Sequence, residues 1–179
     1  MKFSLFSTFT LTLALSALPL AMAQNRTATN NLGTNPNQRF QLNQNQALQI
    51  ITAAAAKSAE IKIPINVAVT DPAGLLLAFL RTDNAYLGSI DIAIKKARTV
   101  SLFNGAITTG AWYNLTQPGQ SLYAIQETNG GLIVFGGGVP CYVDGYFVGS
   151  VGVSGGTTDE DVQIATAGVD AVGSTEGQV

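Results

Sequence analysis

The chain has 179 residues, of which 46% are hydrophobic and only 11% charged, and its formal net charge is −2. This balance, with no basic run, argues against nucleic acid and against a membrane surface as the partner, and it favours a small molecule or another protein. The chain has no histidine, so the usual general base of hydrolases and the most common metal ligand are both missing.

The first 23 residues have the three parts of a secretory signal peptide. Lys2 supplies the positive charge, residues 3–20 form an apolar run, and residues 21–23 form a small-residue cleavage site. A membrane anchor is disfavoured because the apolar run is interrupted by serine, threonine and proline. We therefore expect cleavage after Ala23 and an extracellular, secreted product.

Residues 24–42 are rich in asparagine and glutamine and almost free of apolar side chains, which predicts a flexible polar arm before a single domain at 43–179. Asn25 and Asn114 each begin an acceptor sequon and are predicted glycosylation sites. Cys141 is the single cysteine, so no intrachain disulfide can form and an inert buried thiol is expected.

The first half of the domain has the pattern of a helix, a hairpin and a second helix. Apolar residues at helical spacing predict a helix over residues 45–60, and two β-rich runs at 63–69 and 75–81 flank a turn at 71–74. A second helix is expected to begin with Ser89 as its cap and to end near residue 103.

The second half repeats the hairpin and helix pattern after an irregular stretch at 106–130. Strands are predicted at 132–135 and 146–153, turning at residues 144–145, followed by a helix from 158 to about 172. Thr158 and Asp161 resemble a capping box at its start. The expected fold is α+β: an antiparallel sheet of two hairpins with about three packing helices, in one domain.

The glycine-rich residues 152–156 match the G-x-S-x-G pattern of a hydrolase elbow, but its serine, Ser154, lacks a histidine partner. Two readings stay open: close backbone packing, or backbone N–H groups that meet an anionic group at the last helix. The acidic residues 159–161 are better explained by the helix N-terminus than by a metal ion, so no metal site is predicted.

Charged residues concentrate around the end of the first hairpin and the second helix. Arg81 and Asp83 follow an apolar strand, where a rigid side chain can lie at a pocket rim, and Lys96 lies on the following helix. The alternative is that Arg81 and Asp83 pair with each other or cap the loop. We expect a ligand between the second helix and the glycine-rich turn at 152–156.

Several motifs together resemble the GlcG/HbpS-like family, which is also found as the C-terminal domain of PduO-type proteins. The matching segments are the V-x-D-x-x-G turn at 69–74, R-x-D at 81–83, S-x-x-x-A-x-x-K-A at 89–97, G-G-x-P at 137–140, and D-G-x-x-V-G-x-x-G-V-S-G-G at 144–156. The resemblance covers about residues 45–172. It implies an antiparallel sheet with packed helices and self-association into a homo-oligomer.

The resemblance also implies haem or another tetrapyrrole as the ligand. Because this chain offers neither histidine nor a mature methionine to the iron, the candidate axial ligands are a tyrosine, Cys141, a lysine or a hydroxyl such as Thr99. The predicted ligand-binding residues are Arg81, Asp83, Lys96, Thr99, Ser154 and Gly155. Two alternatives remain: a secreted isomerase- or cyclase-type enzyme acting on a small apolar metabolite, and an oligomeric interaction protein without a ligand.

Overall fold

A computed structural model describes residues 30–32 and 34–177. The helices and strands are α1 (Gln44–Ile61), β1 (Asn66–Thr70), β2 (Leu76–Arg81), α2 (Ser89–Leu102), β3 (Gly138–Val143), β4 (Tyr146–Ser154) and α3 (Thr158–Val169). Two 3-10 segments, Thr109–Thr116 and Ile125–Glu127, lie between α2 and β3. The four strands form one antiparallel sheet in the order β2-β1-β4-β3. The α+β prediction is confirmed.

Helices cover both faces of the sheet. On one face, valines of β1 and β4 pack against α1 and α3, and the buried residues at the centre of this core include Ile50, Val67, Val69, Val153 and Ile164. On the other face, α2 rests on a much smaller core of Ala68, Ala93 and Ala97. Gly152 of β4 lies against the Ala93 carbonyl with no room for a side chain, so α2 can approach the sheet closely.

The second hairpin differs from its prediction. Residues 132–135 are irregular, and its first strand is Gly138–Val143, a segment that reads as a linker because of its glycines and Pro140. Pro140 is tolerated because β3 is an edge strand, where a missing N–H need not break a ladder. The predicted turn holds: Asp144 and Gly145 both have positive φ, 50° and 79°.

The helix starts also differ from their predictions. Gly88, not Ser89, is the N-cap of α2, and Ser89 is buried as the first helical residue. At α3 the capping box is formed by Thr157 and Glu160, one residue before the predicted pair. Asp161 is thereby released from capping and turns inward. The last helix ends at Val169 rather than near 172.

The described part of the polar arm contacts the domain. The Asn31 side-chain amide donates to the Asn104 carbonyl at 2.9 Å, and Leu42 is buried in the main core with its N–H bonded to the Val148 carbonyl. The predicted signal peptide and the Asn25 sequon lie outside the described residues. Across the described residues, no helix has the length and apolarity needed to cross a membrane.

Candidate functional site

The centre of the candidate site is a buried ion pair between α2 and α3. The Nζ of Lys96 lies 2.8 Å from Oδ2 of Asp161 and donates a second hydrogen bond to the Val153 carbonyl, also at 2.8 Å. Oδ1 of Asp161 accepts from the Gly156 N–H at 3.0 Å. Lys96 is 0% exposed and is among the largest fully buried side chains. The pair therefore joins α2, the end of β4 and the start of α3.

Burial acts on both partners of this pair. Desolvation lowers the pKa of Lys96 from its usual value, and the hydrogen bond and charge of Asp161 oppose that shift. Desolvation likewise raises the pKa of Asp161, against the hydrogen bond and charge of Lys96. Each charge is thus stable in the interior only because the other is present.

The glycines before β3 make room for the ion pair. Gly137 has φ +121°, and a Cβ atom there would lie 2.5 Å from both Lys96 Nζ and the Val153 carbonyl oxygen. Phe135 covers the amine, with its ring centroid 4.9 Å from Nζ. Residues 135–137 therefore form a wall that covers one side of the ion pair.

The other side of the same wall borders a cavity of about 420 Å³. Its lining residues are Gly110, Tyr113, Phe135, Gly136, Thr158, Asp159 and Val162. The volume is in the range of small-molecule sites. Tyr113, from the first 3-10 segment, is 54% exposed, so this residue lies where the cavity meets solvent. Phe135 thus separates the cavity from the Lys96–Asp161 pair.

The structure places the predicted site residues in different surroundings. Lys96 is buried and bonded to Asp161 and to the Val153 carbonyl, so in this structure its amine faces protein atoms. Arg81 is exposed at the end of β2. Asp83 lines a separate recess of about 340 Å³ at the end of α1, together with Lys62.

The remaining predicted residues are engaged in the fold. The Thr99 hydroxyl is buried, donates to the Lys95 carbonyl at 2.7 Å and accepts from the Ile133 N–H at 3.0 Å. Ser154 is buried at the end of β4, opposite Asn66 in the sheet register, and Asn66 is in turn opposite Arg81.

Gly155 lies against the Pro64 carbonyl and the Ile65 backbone, which leaves no space for a side chain. The close-packing reading of this glycine-rich turn is the one that fits its contacts.

The candidate axial ligands of haem differ in whether the structure buries them or leaves them accessible. Cys141 is fully buried, and burial raises the pKa of its thiol to about 12, so no thiolate is available near neutral pH. Thr99 and Lys96 are buried and bonded, as described above. Tyr113 lines the cavity, and sequence reasoning missed it because the stretch around it has no periodicity.

Residues 42–170 match the model of the HbpS-like family, described as haem degrading protein HbpS-like. The chain belongs to the HbpS-like family. The resemblance seen in the sequence motifs is thus confirmed, and the match begins at Leu42, a residue of the main core just before α1.

Three relatives indicate how close the similarity is. An uncharacterized 15.0 kDa protein from the dhaT-dhaS intergenic region of Citrobacter freundii is 37% identical over 139 residues, covering 72% of this chain and 96% of the relative. The crystal structure of Klebsiella pneumoniae protein ORFY is 37% identical with a TM-score of 0.70, over 77% of this chain and 95% of that one. A crystal structure of a PduOC:heme complex is 30% identical with a TM-score of 0.69, over 74% and 95% of the two chains.

Proposed function

We propose that this chain is a small-molecule-binding protein whose ligand is haem or a related tetrapyrrole, held in the 420 Å³ cavity beside the Lys96–Asp161 pair. The observation that carries the proposal is the position of Tyr113, an accessible phenol in the lining of that cavity. The similarity to a chain crystallised with haem supports the ligand class.

The cavity lining fits a planar, largely apolar group. Phe135 and Val162 supply apolar surface, and Gly110 and Gly136 leave the walls free of side chains. Tyrosine is an established axial ligand of haem iron. The one charged residue in the lining, Asp159, repels carboxylates, so the propionates would point to solvent rather than into the cavity.

In this arrangement Tyr113 would hold the iron, and the Phe135 ring would lie against the ligand on one side and over the Lys96 amine on the other. Haem, when bound, supplies the redox and oxygen chemistry of its iron. The chain's own contribution is to bind the macrocycle, limit water on its buried face and keep the ion pair separate from it. Because both partners of that pair are bonded to protein atoms, we assign it to support of the cavity wall.

Hemin titration followed by absorbance tests the proposal. The parent should give a saturable shift of the Soret band, and Tyr113→Phe should weaken binding by at least about tenfold, equivalent to about 1.4 kcal/mol. Tyr123→Phe is the matched control, because Tyr123 is also an exposed tyrosine but lies just before the second 3-10 segment, outside the cavity lining. No saturable spectral change in the parent, or equal binding by the parent and the Tyr113 variant, would refute the assignment.

We also propose that the protein is secreted after cleavage following Ala23 and that it self-associates. The signal-peptide pattern supports secretion, and the low charged fraction with ten large hydrophobic side chains exposed among the described residues supports assembly. N-terminal sequencing of protein from the culture medium should start at Gln24. A product retained in the cells with its first 23 residues would contradict the secretion proposal.

A further inference from the structure

The outer edge of the sheet is unusually apolar. β2 is an edge strand, and residues 75–80, Leu-Leu-Leu-Ala-Phe-Leu, contain no charge and no proline. Leu75, Leu76 and Leu77 are 66%, 49% and 40% exposed. Edge strands of soluble proteins are normally protected by charges, prolines, bulges or a covering element, because their free backbone groups can pair with another chain. This edge has a bulge beside Leu76 but no charged or proline residue within the run.

Helix α2 does not cover this edge of the sheet. α2 packs on β1, β3 and β4, drawn close by the small residues of its alanine core. Phe79 of β2 and Ile94 of α2 pack at the margin of that core and remain only partly buried. The core on this face is therefore open along β2.

The loop after β2 extends the apolar surface. Tyr86 and Leu87 are 71% and 70% exposed. The Tyr86 carbonyl accepts a hydrogen bond from the Asn66 side-chain amide at 2.9 Å, and Asn66 is paired with Arg81 at the end of β2. This bond places Tyr86 and Leu87 at one end of the edge, while Leu75–Leu77 lie at the other.

We infer that the β2 edge, defined here as residues 75–80 with Tyr86 and Leu87, is where a second copy of this chain docks. The inference deepens the self-association proposed above and rests on it. The five exposed side chains present roughly 600 Å², on full areas of about 200 Å² per leucine and 250 Å² per tyrosine, against about 800 Å² per partner in a standard interface. The margin of the alanine core supplies further apolar surface.

A second copy fits this surface better than another occupant. The edge is apolar along its whole length, with Arg81 and Asp83 at one end, and a two-fold axis would place like apolar residues against each other. The polar arm preceding α1 is rich in asparagine and glutamine and cannot supply a matching apolar face. An edge strand also provides backbone groups that can pair with the same strand of a symmetric partner.

Light scattering coupled to gel filtration tests this, with the mature chain at micromolar concentration. The parent should have at least twice the mass of one chain, and the double variant Leu77→Lys/Leu87→Lys should shift to about half the parent mass or less. Leu48→Lys is the matched control, because Leu48 is 50% exposed but lies on α1, which packs on the face of the sheet opposite to α2. Circular dichroism should show all three folded, because the substituted side chains are substantially exposed.

The outcomes separate the interface from the proposals on which it rests. A parent with the mass of one chain overturns self-association and the interface together. An oligomeric parent whose double variant keeps the parent mass, or whose control variant alone dissociates, leaves self-association standing and overturns the β2 edge. Hemin titration of the same variants reads the haem proposal independently, because the cavity is lined by other residues.

Discussion

Removing the Lys96 amine should destabilise the fold strongly, because it leaves the Asp161 carboxylate buried without its counter-charge. In Lys96→Met, Asp161 keeps only its bonds to backbone N–H groups. Breaking a buried ion pair in this way costs about 3–5 kcal/mol of unfolding free energy. For a chain of this size, each kcal/mol lowers the melting temperature by about 2–4 °C, so a loss of roughly 6–20 °C is expected.

The destabilisation by Lys96→Met should change with pH in a definite direction, which a simple packing defect would not do. Desolvation raises the pKa of Asp161 above its usual 3.8, and without Lys96 nothing comparable opposes that shift. A group with a raised folded pKa contributes its stability below the unfolded pKa and loses it as the pH rises through the folded pKa. The penalty of Lys96→Met should therefore be smaller near pH 4 than near pH 8.

Urea denaturation followed by the fluorescence of Trp112, the single tryptophan, measures these free energies. Asp161→Asn provides the second arm, since an amide oxygen can still accept from Gly156, and the double variant Lys96→Met/Asp161→Asn should recover much of the loss. A Lys96→Met variant within about 1 kcal/mol of the parent, the range of ordinary surface pairs, would refute the account. So would a double variant whose loss equals the sum of the two single losses.

Three further predictions concern other residues. Gly137→Ala should lower the free energy of unfolding by roughly 2–4 kcal/mol, because Gly137 has a positive φ and its added Cβ would meet the ion pair. Gly145→Ala should lower it by only about 1–2 kcal/mol, because Gly145 also has a positive φ but has open space around it. Equal losses of unfolding free energy in urea titrations of the two variants would contradict this. The Cys141 thiol should not react with Ellman's reagent at pH 8 until the protein is unfolded, because it is buried with a pKa of about 12, and rapid native labelling would show that the site opens. Asn114 is exposed, so protein secreted from a eukaryotic host should lose apparent mass on deglycosylation and in Asn114→Gln; an unchanged gel mobility in both tests would rule out the modification.

Much of the fold was predictable because its signals are local. Periodicity places α1 and α2 within one or two residues, and Asp144-Gly145 marks the second hairpin turn. The strand β3 was missed because Pro140 and its neighbouring glycines are read as a linker. Pro140 is tolerated because β3 is an edge strand, and the glycine at position 137 is needed because the ion pair lies so close to it. Both reasons depend on the assembled sheet and are not visible in the local sequence.

The ion pair could have been predicted from the sequence, but Lys96 and Asp161 are each flanked by other charged residues that draw attention away from them. Lys96 lies in the buried stripe of α2, three residues after Ala93 and one before Ala97. Asp161 begins the stripe of α3, three residues before Ile164. A lone cation and a lone anion, each within a buried helical stripe, indicate a pair that meets across the core.

The cavity residue Tyr113 had no such local signal. It lies in a 3-10 segment without periodicity, and its contact with the cavity depends on Phe135 and Gly136, more than twenty residues later in the chain. Only the tertiary arrangement brings these residues together.

The most direct test of the central proposal is resonance Raman spectroscopy of the hemin-loaded protein, excited in the phenolate-to-iron charge-transfer region. We predict phenolate modes in the parent and in Tyr123→Phe, and their loss in Tyr113→Phe. A saturably bound haem without phenolate modes, or modes that persist in Tyr113→Phe, would show that Tyr113 does not hold the iron.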